Sequence, residues 1–219
     1  MPDFTPDVLV SAFITYIVFL FSTTCHEAAH ALVAKHGGDS TAALGGQVTL
    51  NPIPHIRREP FGMVLVPILS FFFSGGMIGW ASAPFNRDWE RRYPKRSAWM
   101  ALAGPAANFT LMLLAAFALK AGQTMDLFHR QAGGGSSFLF TILVTTFMLN
   151  LLLGTFNLLP VPPLDGSTAI MLFMSESGAQ KYLDWLRGNS FAIAGLLVGL
   201  VVFRQIFPYV QYFVMHLLF

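Results

Sequence analysis

Apolar positions along this chain gather into long runs separated by short polar stretches, and most of the runs are long enough to cross a bilayer. The first extends from Val8 to about Ala34, and Lys35-His36-Gly37-Gly38-Asp39 reads as the stop of a helix. Residues 41–51 mix Gly, Val, Thr and Leu in a strand-like pattern, which Asn51-Pro52-Ile53-Pro54 breaks. A second run, Phe61 to Trp80, is interrupted by Pro67 and by Ser74-Gly75-Gly76. Residues 84–97 form a polar stretch, and a third run covers about Ala98 to Leu119. A polar loop with Gly133-Gly134-Gly135 leads to a fourth run, Phe138 to Leu159, which ends in Pro160-Val161-Pro162-Pro163-Leu164-Asp165-Gly166. A short helix-like stretch to Met174 follows. The last apolar region, about Ser190 to Phe219, is expected to be divided by Arg204 and Pro208.

This pattern predicts an all-α polytopic membrane protein. It should have about four to six transmembrane segments, one of them re-entrant, and a small strand or hairpin after the first helix. The chain reads as a single membrane-embedded domain, 1–219, with its core at 8–175 and hydrophobic C-terminal segments at 190–219. Composition agrees: 54% of residues are hydrophobic, only 11% are charged, and mean hydropathy is +0.59. A net charge of +2 argues against a nucleic-acid surface. Cys25 is the sole cysteine, so no internal disulfide can form. The N-terminus carries Asp3 and Asp7 without Lys or Arg, unlike a signal peptide. Trp80, Trp89, Trp99 and Trp185 fall near run ends, where an interfacial belt would place them.

The positive charges bear on topology. Lys35, Arg57 and Arg58 follow the first run, and Arg87, Arg91, Arg92, Lys95 and Arg96 follow the second. Both stretches are expected on the cytoplasmic side, so residues 61–80 should enter and leave by the same face. Exposed backbone at the Pro and Gly breaks is tolerable there only if protein buries it.

Within the first run stands His26-Glu27-Ala28-Ala29-His30. Positions i and i+4 share a helix face, so both imidazoles can reach one metal ion, and Glu27 lies beside them as a candidate base. A lone histidine in an apolar helix is usually structural. Two with a glutamate, at membrane depth, point to function. A catalytic zinc site needs a third ligand, and Asp165 is the best candidate. Leu164-Asp165-Gly166 could equally be a turn or helix cap. Depth favours the ligand reading. The histidines lie roughly 27–33 Å along the first helix, and the fourth run, descending in the same direction, brings Asp165 to a similar level if residues 61–80 re-enter.

The chain resembles the site-2 protease family of intramembrane zinc metallopeptidases. The matching residues are His26–His30, Leu50-Asn51-Pro52 with His55, Gly79-Trp80-Ala81, Ala103-Gly104-Pro105-Ala106-Ala107-Asn108, and Asn157-Leu158-Leu159-Pro160-Val161-Pro162-Pro163-Leu164-Asp165-Gly166. The resemblance implies one zinc ion per chain held by His26, His30 and Asp165, with Glu27 as general base. It also implies that Asn108 and Asn157 line the site, facing the substrate or its oxyanion; Asn150 is read as structural. The implied substrate is a membrane-anchored protein cleaved in or near the bilayer; the charge placement above puts the active site toward the cytoplasmic side. The family pattern H-x-D-P-x-G is altered here to His55-Ile56-Arg57-Arg58-Glu59-Pro60-Phe61-Gly62, which leaves His55 without a defined role. Strand addition of an extended substrate to residues 41–50, with Gly45 and Gly46 allowing close approach, is a further expectation. The competing readings are a catalytically silent homologue that serves as a binding or scaffold protein, and a metal transporter. The intact Glu27 disfavours the first, and the scarcity of charge along the other apolar runs disfavours the second.

Overall fold

A computed structural model describes residues 5–128, 137–188 and 192–219; Asp3, the Gly133-Gly134-Gly135 loop and Ser190 lie outside the described residues. Four helices are long and apolar enough to cross a membrane: α1 (Pro6–Gly37), α6 (Pro94–Thr124), α7 (Phe138–Asn157) and α10 (Ala192–Leu218). Five shorter α-helices are α2 (Thr41–Leu44), α3 (Pro52–Arg58), α4 (Val66–Ser74), α5 (Arg87–Arg92) and α8 (Asp165–Ala169), and α9 (Glu176–Gly188) runs along the polar end. The long helices are set by local signals. Thr5 caps α1 by accepting from the Val8 N–H, Pro6 opens it, and Gly38 closes it at φ 101°. Ser137 caps α7 in the same way, accepting from Phe140.

Helices α1, α6 and α7 form the core, and each packs on the other two. Arg96 reaches Gly37 at one end of α6, and Asn108 meets His26 further along, so α6 runs antiparallel to α1. Phe128 beyond α6 meets Phe140 near the start of α7, so α7 turns back parallel to α1. Lipid supplies no hydrophobic drive between helices, so close packing and buried hydrogen bonds must hold them. Ala28, Ala31, Ala34, Ala98 and Ala101 are all buried; small side chains of this kind let helix backbones approach closely. Away from the site, Met112, Ala115, Ala116 and Leu119 of α6 pack on Phe147 and Leu151 of α7, with Phe207, Val210, Val214 and Leu218 of α10 against them. Arg204 and Pro208 sit inside one continuous α10, which corrects the expected division. Pro208 bends no boundary into the chain because an interior proline removes only local bonds of a 27-residue helix.

Residues 61–80 fold back on themselves. A π-turn at Phe61–Leu65 leads into α4, and Gly75 ends that helix at φ 71°. The Trp80 N–H then donates to the Gly62 carbonyl at 3.1 Å. A β-carbon on Gly62 would stand 2.3 Å from the Trp80 oxygen, so only glycine permits this closure. The two ends therefore meet at one level of α1, beside Tyr16, whose hydroxyl donates to the Met63 carbonyl.

The strand or hairpin expected over 41–50 does not form, and no strand occurs among the described residues. Asp39 accepts from the Thr41 N–H and hydroxyl. The N–H groups of Leu44, Gly45, Gly46 and Gln47 then turn back onto Ser40, Thr41, Ala43 and Ala42. Local bonds thus use the donors that a ladder would need, and the alternating stretch beyond Gly46 is too short to nucleate one. Trp89 also departs from expectation. It is buried, with Nε1 donating to the Gly37 carbonyl, whereas Trp80, Trp99 and Trp185 are exposed.

Candidate active site

His26 and His30 lie one turn apart on α1, both buried, and their Nε2 atoms are 2.9 Å apart. Asp165 Oδ2 lies 3.1 Å from His26 Nε2 and 3.4 Å from His30 Nε2. Tetrahedral zinc with nitrogen and oxygen ligands separates its ligand atoms by about 3.3–3.5 Å, so these three converge at nearly that spacing. The tautomers are fixed from behind. His30 Nδ1 lies 2.7 Å from the Met100 carbonyl, which can only accept, so Nδ1 carries the proton. His26 Nδ1 lies 2.6 Å from Asn108 Oδ1 and is likewise the donor. Both Nε2 lone pairs are left facing the common point, as metal ligation requires.

Gly104 of α6 completes the cradle. A β-carbon there would stand 2.4 Å from both Nε2 atoms and 2.6 Å from His26 Cε1. The glycine therefore keeps open the space on which the lone pairs converge. Glu27, 5% exposed, brings its carboxylate within 4.8 Å of the imidazole ligand atoms. Its proximity alone would admit it as a ligand. The shorter Asp165 contacts to both Nε2 atoms favour Asp165 in that role and leave Glu27 beside the site.

Asp165 arrives from the loop after α7. It is the first residue of α8, with Leu164 in the extended cap position. A β-carbon on Gly166 would stand 2.2 Å from the Leu158 carbonyl oxygen, so the turn closes tightly on the end of α7. The other end of this unit, Ile170–Phe173, is tied to α6: Lys95 Nζ donates to the carbonyls of Met171 and Leu172 at 2.8 Å, and to that of Met174.

The asparagines divide differently from expectation. Asn108 is fully buried, with Oδ1 on His26 and Nδ2 on Asn150 Oδ1 at 2.8 Å. The substrate-facing role expected for it does not fit that geometry, because the side chain is committed to protein partners on both sides. Asn157 donates to the Leu153 carbonyl of its own helix at 3.1 Å and is only half-buried. Asn150, read as structural from sequence, belongs to the chain of bonds that reaches His26. Its place seven residues before Asn157 was the available signal, since buried amides in a membrane helix need partners. Gly104 and Lys95 offered no signal of their own. His55 is buried with Nε2 on the Thr49 carbonyl, so it braces the segment beside α1.

The sequence model of peptidase family M50 matches residues 131–202, which include Asn157 and Asp165. The chain is 38% identical over 153 residues to "Putative zinc metalloprotease YwhC" of Bacillus subtilis, covering 68% of this chain and 64% of that protein. It is 31% identical over 153 residues to "Putative zinc metalloprotease Rip2" of Mycobacterium tuberculosis, covering 69% of this chain and 54% of that protein. Against the Rip2 of Mycolicibacterium smegmatis it is 28% identical over 205 residues, 93% of this chain and 74% of the relative. No solved structure matches. The chain belongs to peptidase family M50, the site-2 protease family. It spans between about half and two thirds of the length of the first two of these relatives.

Proposed function

We propose that the chain is a membrane-embedded zinc metallopeptidase that hydrolyses peptide bonds of membrane-anchored proteins. The observation that carries this reading is the convergence of His26, His30 and Asp165 on one point, with both histidines held in the ligating tautomer. These three residues would hold one zinc ion per chain, within a single domain covering 1–219. The ion supplies Lewis acidity to the scissile carbonyl and to the hydrolytic water. Glu27 takes the water's proton and delivers it to the leaving amine. Asn157, half-buried at the end of α7, is the amide proposed to meet the substrate backbone.

A cleft of about 400 Å³ runs along α1 beside the histidine motif, between Cys25, Ala29 and Leu32, the Val48–Leu50 segment, and Ala107 and Leu111 of α6. Its apolar walls suit a hydrophobic segment that approaches from the bilayer. A second cavity, of about 320 Å³, joins Asp165 to Arg87, Glu90 and Arg187 and offers a polar route for water. The basic residues at that end support, by the positive-inside rule, an active site toward the cytoplasmic side, with residues 61–80 re-entering from the same face. Metal analysis of purified protein tests the site. We expect about one zinc per chain in the native protein and strong loss in His26→Ala, His30→Ala and Asp165→Ala; full zinc in Asp165→Ala would overturn the ligand set.

A further inference from the structure

The imidazole of His26 can ligate through Nε2 only if its proton sits on Nδ1, and an asparagine partner does not by itself guarantee that. An amide presents an acceptor on one side and a donor on the other. If Asn108 were flipped, its NH₂ would face Nδ1, the proton would move to Nε2, and the ligand lone pair would be lost. His30 has no such ambiguity, because the Met100 carbonyl is acceptor-only.

The orientation of Asn108 is set one helix further away. Its other amide atom pairs with Asn150 of α7 at 2.8 Å. Asn150 in turn pairs with the Thr146 carbonyl and with Ser22 Oγ, both at 2.9 Å. The Thr146 carbonyl belongs to the preceding turn of α7 and can only accept. Asn150 must therefore turn its NH₂ toward Thr146 and its oxygen toward Asn108. Asn108 must then donate to Asn150 and turn its own oxygen to His26. The direction of every bond follows from a single backbone carbonyl. Asn108, Asn150 and Ser22 are all fully buried, so no water competes for these groups. An inverted amide would set acceptor against acceptor, Asn150 Oδ1 on the Thr146 carbonyl or Asn108 Oδ1 on Asn150 Oδ1, with no water to relieve the clash.

We propose that Asn150 is a positioning residue that, through Asn108, locks His26 in the tautomer that ligates through Nε2. The inference rests on the metallopeptidase reading for its purpose, but the lock itself is a property of the metal-free protein. Ser22 only takes the second N–H of Asn150 and does not set the direction of the chain. This separates the lock from a plain helix tie. A tie between α1 and α7 would depend on Ser22, the one α1 partner of Asn150, at least as much as on Asn150.

The test uses the full chain in detergent, with ¹⁵N-histidine, and His26 is assigned by difference with His26→Ala. In the metal-free native protein, His26 should show the proton on Nδ1. Asn150→Leu and Asn150→Ser, prepared side by side so that a folding defect in one leaves the other, should shift His26 toward the Nε2–H form while His30 is unchanged. Zinc affinity, measured by chelator competition, should fall on the order of 10–100-fold in both. In an Asn108→Ala background the same substitutions should add nothing, and Ser22→Ala should leave tautomer and affinity near native. Native His26 tautomer and native zinc affinity in the Asn150 variants would overturn the proposal, as would a Ser22→Ala defect equal to theirs. A tautomer shift in the Asn150 variants, together with a native protein that takes up no zinc, would leave the lock standing and sink the metallopeptidase reading instead.

Discussion

A single methyl group at Gly104 should empty the site without unfolding the protein. The β-carbon of Gly104→Ala would stand 2.4 Å from His26 Nε2 and 2.4 Å from His30 Nε2. Ordinary carbon–nitrogen contact is about 3.4 Å or more, so roughly 1 Å of displacement is required. The rings cannot move that far and keep their Nδ1 bonds of 2.6 and 2.7 Å to Asn108 and Met100. Each such bond lost costs about 1 kcal/mol, so the two together cost about 2 kcal/mol. Alanine in a helix interior stabilises by about 0.5–1 kcal/mol relative to glycine. The helical gain offsets part of that loss, so the metal-free variant should be less stable by only about 1–1.5 kcal/mol and remain folded. Zinc affinity should fall on the order of 10²-fold or more, since two of the three proposed ligands are displaced. Melting of the metal-free protein and zinc retention against a limiting chelator measure the two quantities separately. Native zinc retention in Gly104→Ala would refute the geometry of the cradle. A variant that fails to fold would show that the helices cannot absorb a displacement of about 1 Å.

Lys95→Met removes the donor that binds three carbonyls at the end of the Asp165 unit; we expect a stability loss of about 1–3 kcal/mol and several-fold weaker zinc binding, read by thermal melting and chelator competition. Unchanged zinc affinity would mean that Asp165 is held by its own turn alone. Asn157→Ala should retain zinc yet lower turnover on the order of 10²-fold; turnover near native would remove Asn157 from the site. For Asp39, burial raises the pKa, but bonds from Thr41 and Asn86 outweigh it and lower the net value. A depressed folded pKa gives stability that is present above the unfolded value of about 3.9 and is lost as pH falls through the folded one. Melting temperature should therefore fall below about pH 4, and Asp39→Asn should lose that part of the dependence; an equal acid response in the variant would assign it elsewhere.

What could be read from the sequence was whatever local spacing controls. The i, i+4 histidines face together because helix geometry demands it, and α1, α6 and α7 follow from unbroken apolar runs, whereas α10 runs through the Arg204 and Pro208 expected to divide it. Asp165 was reachable by depth, because α7 returns parallel to α1 and a fold-back at 61–80 was anticipated. What escaped depends on contacts between helices that no spacing encodes. Gly104 matters only because α6 crosses α1 at His26, and Lys95 only because α8 ends beside it. Asn150 was visible as a buried amide, but its partner lay 42 residues away on another helix. The 41–50 segment misled because Gly, Val and Thr suit a strand, while the carboxylate of Asp39 offered the backbone a local turn instead.

Glu27 is proposed to act as base beside a zinc ion held by His26, His30 and Asp165. The most direct measurement compares the native protein with Glu27→Gln, both loaded with one equivalent of zinc in liposomes, on a membrane-anchored reporter peptide whose products are identified by mass. We expect the native protein to cut the reporter, the chelator-treated protein to be inactive, and zinc-loaded Glu27→Gln to retain its metal while losing cleavage by at least about 10²-fold. Cleavage by Glu27→Gln at the native rate, or loss of zinc from that variant, would contradict it.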